Sequence, residues 1–153
     1  MKIISGGQTG VDRAALDVAM KNGVAYGGCC PAGRLDEFGK IPERYVLKEC
    51  GSFADRTLAN VKDADATIVI YSRELRGGTE YTLQCCMAEK RPHQLIDAVK
   101  ISAEEGAKAI VDLVRKHKIG TLNVAGPRQS EWPEGYDYAF RALDIFLTRS
   151  ATL

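Results

Sequence analysis

Short apolar runs alternate with longer amphipathic stretches along the chain, as strands alternate with helices in an α/β protein. The runs are rich in Ile, Val and Ala, and the longer stretches carry apolar residues at three- and four-residue spacing. We predict strands over residues 2–4, 24–29, 66–71, 94–96 and 121–125. We predict helices over residues 11–20, 53–62, 102–118 and 136–148, and another from the end of a loop at 72–80 to about residue 89.

Five units of a strand followed by a helix predict an α/β fold of the Rossmann-like, doubly wound type. We expect a mainly parallel sheet of about five or more strands, with helices on both faces. The run 66–71 is continuous, β-branched and apolar, which is typical of a parallel strand covered on both faces. A length of 153 residues fits one domain spanning 1–153. The pattern does not determine the order of the strands.

Residues 30–54 interrupt this alternation, because they show little periodicity and many Pro, Gly and charged positions. Residues 45–47 are a candidate short strand within them. Long irregular connections are uncommon in compact domains and usually serve as binding loops or lids.

Charge and hydropathy exclude two classes of partner. The net charge is +1, and no block of five or six like charges occurs. Proteins that bind nucleic acids or anionic membranes nonspecifically concentrate Lys and Arg, so we expect neither partner. The most apolar stretch, 64–71, is too short to span a bilayer, and no signal-peptide pattern follows Met1. We therefore expect a cytoplasmic protein.

The five cysteines do not suggest a disulfide framework, since the number is odd and four of them form the vicinal pairs Cys29-Cys30 and Cys85-Cys86. We interpret them as small buried apolar residues, with a lesser functional alternative for Cys29 and Cys30 at a strand end. There is no Cys-x-x-Cys motif, and the histidines are His93 and His117 alone. We therefore predict no metal bound by protein ligands.

The candidate chemistry begins at residues 5–12, where the first strand passes through three glycines into a helix. A strand, a glycine turn and a helix N-terminus together present backbone N–H groups to an anion, usually a phosphate. The predicted contacts here are Ser5, Gly6, Gly7, Gln8, Thr9, Gly10 and Asp12. The alternative is a tight turn that only packs the helix onto the sheet.

Three further loops should lie near this turn, because parallel strands end at one edge of the sheet. They span residues 29–34, 72–80 and 126–132, and arginines at 34, 73 or 76, and 128 would bring guanidinium groups suited to phosphate. Trp132 either stacks on a ligand ring or packs against its own loop or a neighbouring subunit. Arg56, Thr57 and Asn60 share one side of a helix and face either the same cleft or water. The predicted binding residues in these loops are Arg34, Ser72, Arg73, Gly77, Gly78, Thr79, Gly126 and Arg128.

Two acids, Asp12 and Glu80, fall at helix starts behind glycine turns. Their placement fits a favourable interaction with the helix dipole, and the alternative is ribose recognition or general-base catalysis. A Walker A motif is absent, because Val11 and Asp12 follow Gly10 in place of Lys and Ser or Thr. No Gly-x-Ser-x-Gly elbow is present for acyl transfer.

Several of these motifs occur together and in order in one known family. The chain resembles the family named "putative molybdenum carrier", a circularly permuted branch of the SLOG superfamily, which also includes lysine-decarboxylase-like proteins and DNA-processing protein A. The resemblance covers about residues 3–97. It is carried by residues 4–17, by Cys30-Pro31 with Gly33-Arg34, by Arg56-Thr57 with Asn60-Val61, by Asp65-Ala66-Thr67, and by Gly77-Gly78-Thr79 with Thr82.

The resemblance implies a Rossmann-like, homo-oligomeric protein that binds a nucleotide or a molybdenum cofactor of the pterin-phosphate type at its glycine loops. The hydrolytic members of the superfamily carry Pro-Gly-Gly-x-Gly-Thr-x-x-Glu, whereas here the first loop exchanges the Gly and Thr and ends in the shorter Asp12. We therefore favour a binding or carrier protein. A nucleotide N-glycosidase that uses Asp12 or Glu80 is the alternative, and a scaffold that assembles through its last helix is a third hypothesis.

Overall fold

The structure, a computed structural model, describes residues 1–151, of which 150 and 151 are described by their backbone alone. Five helices and nine strands lie within these residues. In chain order they are β1 (Lys2–Ile4), α1 (Val11–Lys21), β2 (Ala25–Gly27), β3 (Cys29–Cys30), β4 (Leu35–Asp36), β5 (Gly39–Lys40), β6 (Lys48–Glu49), α2 (Phe53–Asp63), β7 (Ala66–Tyr71), α3 (Gly77–Ala88), β8 (His93–Asp97), α4 (Ala103–His117), β9 (Thr121–Ala125) and α5 (Gly135–Ala151).

The main sheet is parallel and has the strand order β2-β1-β9-β7-β8. Strand β2 therefore lies outside β1 at one edge of the sheet, β8 lies outside β7 at the other edge, and β9 lies between β1 and β7. In the register of the sheet, Ile4 of β1 lies opposite Asn123 of β9. The predicted Rossmann-like α/β class with a parallel sheet is confirmed.

The two faces of the sheet differ in polarity. Ile3, Ile68 and Leu122 belong to a large apolar core shared with α1, α4 and α5. Because side chains alternate along a strand, Thr67 and Asn123 point to the opposite face, where α2 and α3 pack against each other. The face under α2 and α3 is thus the one that places polar groups inside the protein.

Capping residues set the ends of two helices. Ser52 and Asp55 form a capping box at the start of α2, and Ser102 and Glu105 form the predicted box at the start of α4. Helix α4 ends at His117 because Lys118 takes the left-handed conformation, so Gly120 is not the terminating residue.

The predicted strand 24–29 is wrong as a single element. Strand β2 ends at Gly27, and Gly28 has a φ of 124°, a conformation that side chains rarely adopt. A Cβ on Gly28 would lie 2.2 Å from the Ser5 carbonyl oxygen, so the backbone passes directly against β1. After this turn the chain enters a second, two-stranded sheet in which β3 pairs with β6.

That second sheet also corrects the prediction about cysteines. Pairing of β3 with β6 brings the Cα atoms of Cys29 and Cys50 to 5.5 Å, and the two form a disulfide. The remaining cysteines, Cys30, Cys85 and Cys86, are free and buried, as predicted. The candidate strand 45–47 is wrong, since the nearby strand begins at Lys48. None of the helices within residues 1–151 is long and apolar enough to cross a bilayer.

Candidate functional site

A cleft of about 360 Å³ opens at the carboxyl edge of the main sheet. It lies at the point where successive strands are added to the sheet in opposite directions, β2 next to β1 and β8 next to β7. Ligands in open α/β sheets bind at such switch points, and the volume lies in the range of small-molecule pockets. The lining comes from the β1–α1 turn (Gly6, Gln8, Asp12), from α2 (Phe53, Ala54, Arg56, Thr57, Asn60), from the first turns of α3 (Gly77, Gly78, Thr79, Tyr81, Thr82), and from β9 and the loop after it (Asn123, Val124, Ala125, Gly126, Arg128, Glu131).

The β1–α1 turn does not present the free amides that its sequence predicts. The amide of Gly7 donates to Ser5 Oγ at 3.3 Å, that of Gln8 to Asp12 Oδ2 at 3.3 Å, and that of Thr9 to Gln8 Oε1 at 3.0 Å. The expectation of an open nest is therefore wrong for these three groups. The protein's own side chains occupy the donors that a phosphate would use.

Asp12 is the internal anion of this turn. Its carboxylate is buried, accepts the Gln8 amide, and lies 3.4 Å from Arg56 Nη1. Burial raises the pKa of Asp12 to about 6, against the opposing effect of Arg56 and the Gln8 amide. A carboxyl group in the cleft therefore titrates close to neutral pH.

Arg56 lies across the turn from α2. It donates to the carbonyl oxygens of Gly6 and Phe53, and its guanidinium lies against Gly6, where a Cβ would come within 1.8 Å of Nη1. These contacts hold a positive charge in the wall of the cleft, with 12% of the side chain exposed. The absence of a side chain at Gly6 is what permits this approach.

A hydrogen-bonded network closes the side of the cleft next to Arg128. Glu37, from the turn between β4 and β5, accepts from the amide and hydroxyl of Ser130, and Arg128 Nε lies 3.4 Å from Glu37 and 3.1 Å from Glu131. Desolvation alone would raise the pKa of Glu37. The hydrogen bonds from Ser130 and from the Thr9 side chain, together with the charge of Arg128, outweigh it and lower the pKa. Arg128 lines the cleft, but its guanidinium is already paired with the carboxylates of Glu37 and Glu131.

The first turn of α3 is the other anion-compatible part of the cleft. Residues 77–80, predicted as loop, form this turn, and Arg76 at the N-cap makes no side-chain cap. Nothing lies within 4 Å of a Cβ placed on Gly77 or Gly78, so the space in front of these two residues is open. The positive end of the helix dipole faces the cleft here. Glu80 is exposed and does not line the cleft.

Two aromatic side chains stand in the cleft wall without full burial. Phe53 at the start of α2 is 50% exposed, and Tyr81 on α3 is 36% exposed. Exposed aromatic rings beside a concave site are suited to stacking on a planar ligand. The guanidinium of Arg56 lies 5.7 Å from the Phe53 ring centre.

Several residues predicted for the site lie elsewhere. Arg34 donates to the carbonyl oxygens of Pro42 and Tyr45, so it ties the 31–47 segment together. Arg73 and Ser72 do not line the cleft, and Arg76 pairs with Glu74. Trp132 packs against Gly135 and Tyr138, within its own loop and α5. Ser5, Gly7, Thr9 and Gly10 support the β1–α1 turn behind the cleft lining.

Eight lining residues were not predicted to contact a ligand: Phe53, Ala54, Tyr81, Thr82, Asn123, Val124, Ala125 and Glu131. Asn123 carried a usable signal, since it is a polar residue in the middle of an apolar strand. Arg56, Thr57 and Asn60 face the cleft rather than water, which decides between the two alternatives. In residues 1–151 no group of three or more His, Cys, Asp or Glu side chains is arranged to hold a metal ion.

Comparison with known proteins gives one family and one solved structure. A model of the circularly permutated YpsA SLOG family matches residues 3–147. A crystal structure from Syntrophus aciditrophicus SB, named "putative molybdenum carrier protein", is 44% identical, covers 95% of this chain and 94% of its own, and superposes with a TM-score of 0.93. No curated protein matches the chain.

Proposed function

The chain belongs to the circularly permutated YpsA SLOG family, and from this we propose that its cleft binds a phosphorylated small molecule with a planar ring, either a nucleotide or a molybdopterin-type cofactor. Family membership and the carrier protein of similar structure support a ligand-binding role. The observation that carries the finer proposal is the open, uncapped N-terminus of α3 facing a cleft with exposed aromatic rings.

The phosphate is assigned to Gly77 and Gly78 rather than to the β1–α1 turn. The turn already holds a carboxylate, Asp12, and its amides at Gly7, Gln8 and Thr9 have partners. Helix α3 offers main-chain donors and a favourable dipole to an anion, and the space before it is free. Arg56 adds a positive charge to the wall of the same cleft, whereas the charge of Arg128 is offset by Glu37 and Glu131.

The ring of the ligand is assigned to the wall that contains Phe53 and Tyr81. A cleft of about 360 Å³ is large enough for one nucleoside monophosphate or one pterin phosphate. For the pterin ligand, molybdenum is cargo that the ligand carries, and the side chains of the cleft hold the ligand by its phosphate and its ring.

The test is native mass spectrometry of the freshly purified protein, followed by calorimetric titration with AMP, GMP and molybdopterin. We expect a mass excess that is lost on denaturation, or saturable binding of one of these compounds. Folded protein that shows neither would refute the proposal.

Gly78→Ala provides a structure-based variant for these titrations. Its methyl group projects into open space, so the fold tolerates it, and Ala is favoured over Gly in a helix by about 1 kcal/mol. The same methyl obstructs the phosphate position, and we expect affinity to fall about tenfold. Asp112→Ala, at an exposed position of α4, is the control that gains helix propensity away from the cleft.

A nucleotide N-glycosidase is the second candidate, and the position and pKa of Asp12 favour it. A buried carboxyl group with a pKa of about 6 is suited to general-base catalysis near neutral pH. This candidate predicts release of free base from AMP or GMP, detected by chromatography, and loss of that release in Asp12→Asn. Unchanged nucleotide after prolonged incubation with the wild-type protein would exclude it for these substrates. Cytoplasmic location and homo-oligomeric assembly remain predictions.

A further inference from the structure

The Gln8 side chain is held in one orientation by two backbone donors. Its Oε1 accepts from the Thr9 amide at 3.0 Å and from the Glu37 amide at 2.9 Å. Both partners are N–H groups, so the accepting atom must be the oxygen, and the Nε2 group is the other end of the carboxamide. Gln8 is 6% exposed and lines the cleft, and its Nε2 makes no hydrogen bond with the residues the structure describes.

Asn123 places a second carboxamide in the cleft, on β9. It is 2% exposed, and its Nδ2 donates to Thr67 Oγ1 at 3.2 Å. Its Oδ1 has no hydrogen-bond partner in the described part of the chain, and this oxygen remains accessible to solvent. Asn123 lines the cleft, so Oδ1 is accessible from there.

A third carboxamide in the cleft wall shows the contrast. Asn60 accepts from the Cys29 amide at 2.8 Å and donates to the Cys29 carbonyl at 2.9 Å. Both of its groups are used to hold β3 against α2. Gln8 and Asn123 instead each keep one polar group unused, and burying such groups costs free energy unless a ligand or water satisfies them.

We infer that Gln8 and Asn123 determine which ring the cleft accepts, with Gln8 Nε2 donating to a ring acceptor and Asn123 Oδ1 accepting from a ring N–H or amino group. This inference rests on the proposed function and specifies its ring. The ring class is a fused pyrimidine that carries both a donor and an acceptor on its polar edges, as purine nucleobases and pterins do. A ring that offers acceptors alone leaves Asn123 Oδ1 unsatisfied.

Four phosphates separate the ring from the phosphate in a calorimetric test. AMP and GMP carry ring donors and acceptors, purine riboside 5′-monophosphate carries ring acceptors alone, and ribose 5-phosphate carries no ring. For the wild-type protein we expect the tighter of AMP and GMP to bind about tenfold more strongly than purine riboside 5′-monophosphate. In Asn123→Leu, which changes no charge, that preference should fall below about threefold, while ribose 5-phosphate binds as before.

Asn123→Ser is the second variant, a smaller polar side chain for the case that the leucine side chain disturbs the fold. Gln84→Glu, at an exposed position of α3 outside the cleft, is the control and should leave all four affinities unchanged. If ribose 5-phosphate binds and no nucleotide binds more tightly, or if the ring preference survives in both Asn123 variants, the inference is overturned and the proposed function stands. If none of the four binds, the nucleotide form of the proposed function fails with the inference.

Discussion

Replacing Asp12 by Asn tests the electrostatics of the cleft through the stability of the protein. Asn keeps an oxygen that accepts the Gln8 amide, and it removes the titrating group. The pKa of Asp12 rises from 3.8 to about 6 on folding, chiefly because of burial. The folded protein therefore binds this proton more tightly than the unfolded chain. Its contribution to stability is complete below 3.8 and is lost as the pH rises through 6.

The magnitude follows from the two pKa values. The full difference corresponds to about 3 kcal/mol, and the part that falls between pH 8 and pH 5 is about 1.4 kcal/mol. Relative to Asp12→Asn, the wild-type protein should thus gain about 1.4 kcal/mol in its free energy of unfolding when the pH is lowered from 8 to 5. Comparing the two proteins at each pH removes the effects of the other titrating groups they share.

Urea unfolding followed by the fluorescence of Trp132 measures this difference at pH 5, 6, 7 and 8. Asp112→Asn, at an exposed position of α4 away from the cleft, serves as the control for the loss of one carboxylate. A constant difference between wild type and Asp12→Asn across the four pH values would refute the assignment of a near-neutral carboxyl group to the cleft.

Two further predictions concern the disulfide and the aromatic wall. Cys50→Ser opens a link across 21 residues, and we expect the free energy of unfolding to fall by about 3 kcal/mol. Reducing agent should bring the wild type to the same value, and insensitivity of the wild type to reduction would contradict the bond. Phe53→Ala should weaken binding of AMP or GMP about fivefold and leave ribose 5-phosphate unaffected, as measured by calorimetry. Equal losses for ribose 5-phosphate would show that Phe53 acts on the phosphate or on the fold.

The sequence predicts the elements of this fold well where apolar periodicity is strong. The run 66–71 and the capping box at Ser102 appear at their predicted positions, because both depend on local preferences. Strand order depends on long-range pairing, and no local pattern records that β9 lies between β1 and β7. The same limit applies to Cys29 and Cys50, whose approach results from the pairing of two short strands with no periodicity of their own.

The candidate site was predicted in part, for a related reason. Glycines mark places where a backbone turns closely, but they do not reveal whether its amides are already bonded. At the β1–α1 turn the partners Ser5 and Asp12 lie within the motif, yet Asp12 also contacts Arg56, 44 residues further along. At Gly77 and Gly78 the surroundings are open, and this also depends on the packing of α2 against α3. The residue types therefore indicated where the backbone turns closely, but only the structure shows which amides there are already hydrogen-bonded.

Amide chemical shifts during titration test the central assignment most directly, because they report on individual N–H groups. In ¹⁵N-labelled protein titrated with a ligand that binds, AMP or GMP if either does, the amides of Gly77 and Gly78 should shift most among the glycines, whereas Gly7 should change little. The largest shifts at Gly7, Gln8 and Thr9, with Gly77 and Gly78 unmoved, would contradict the account.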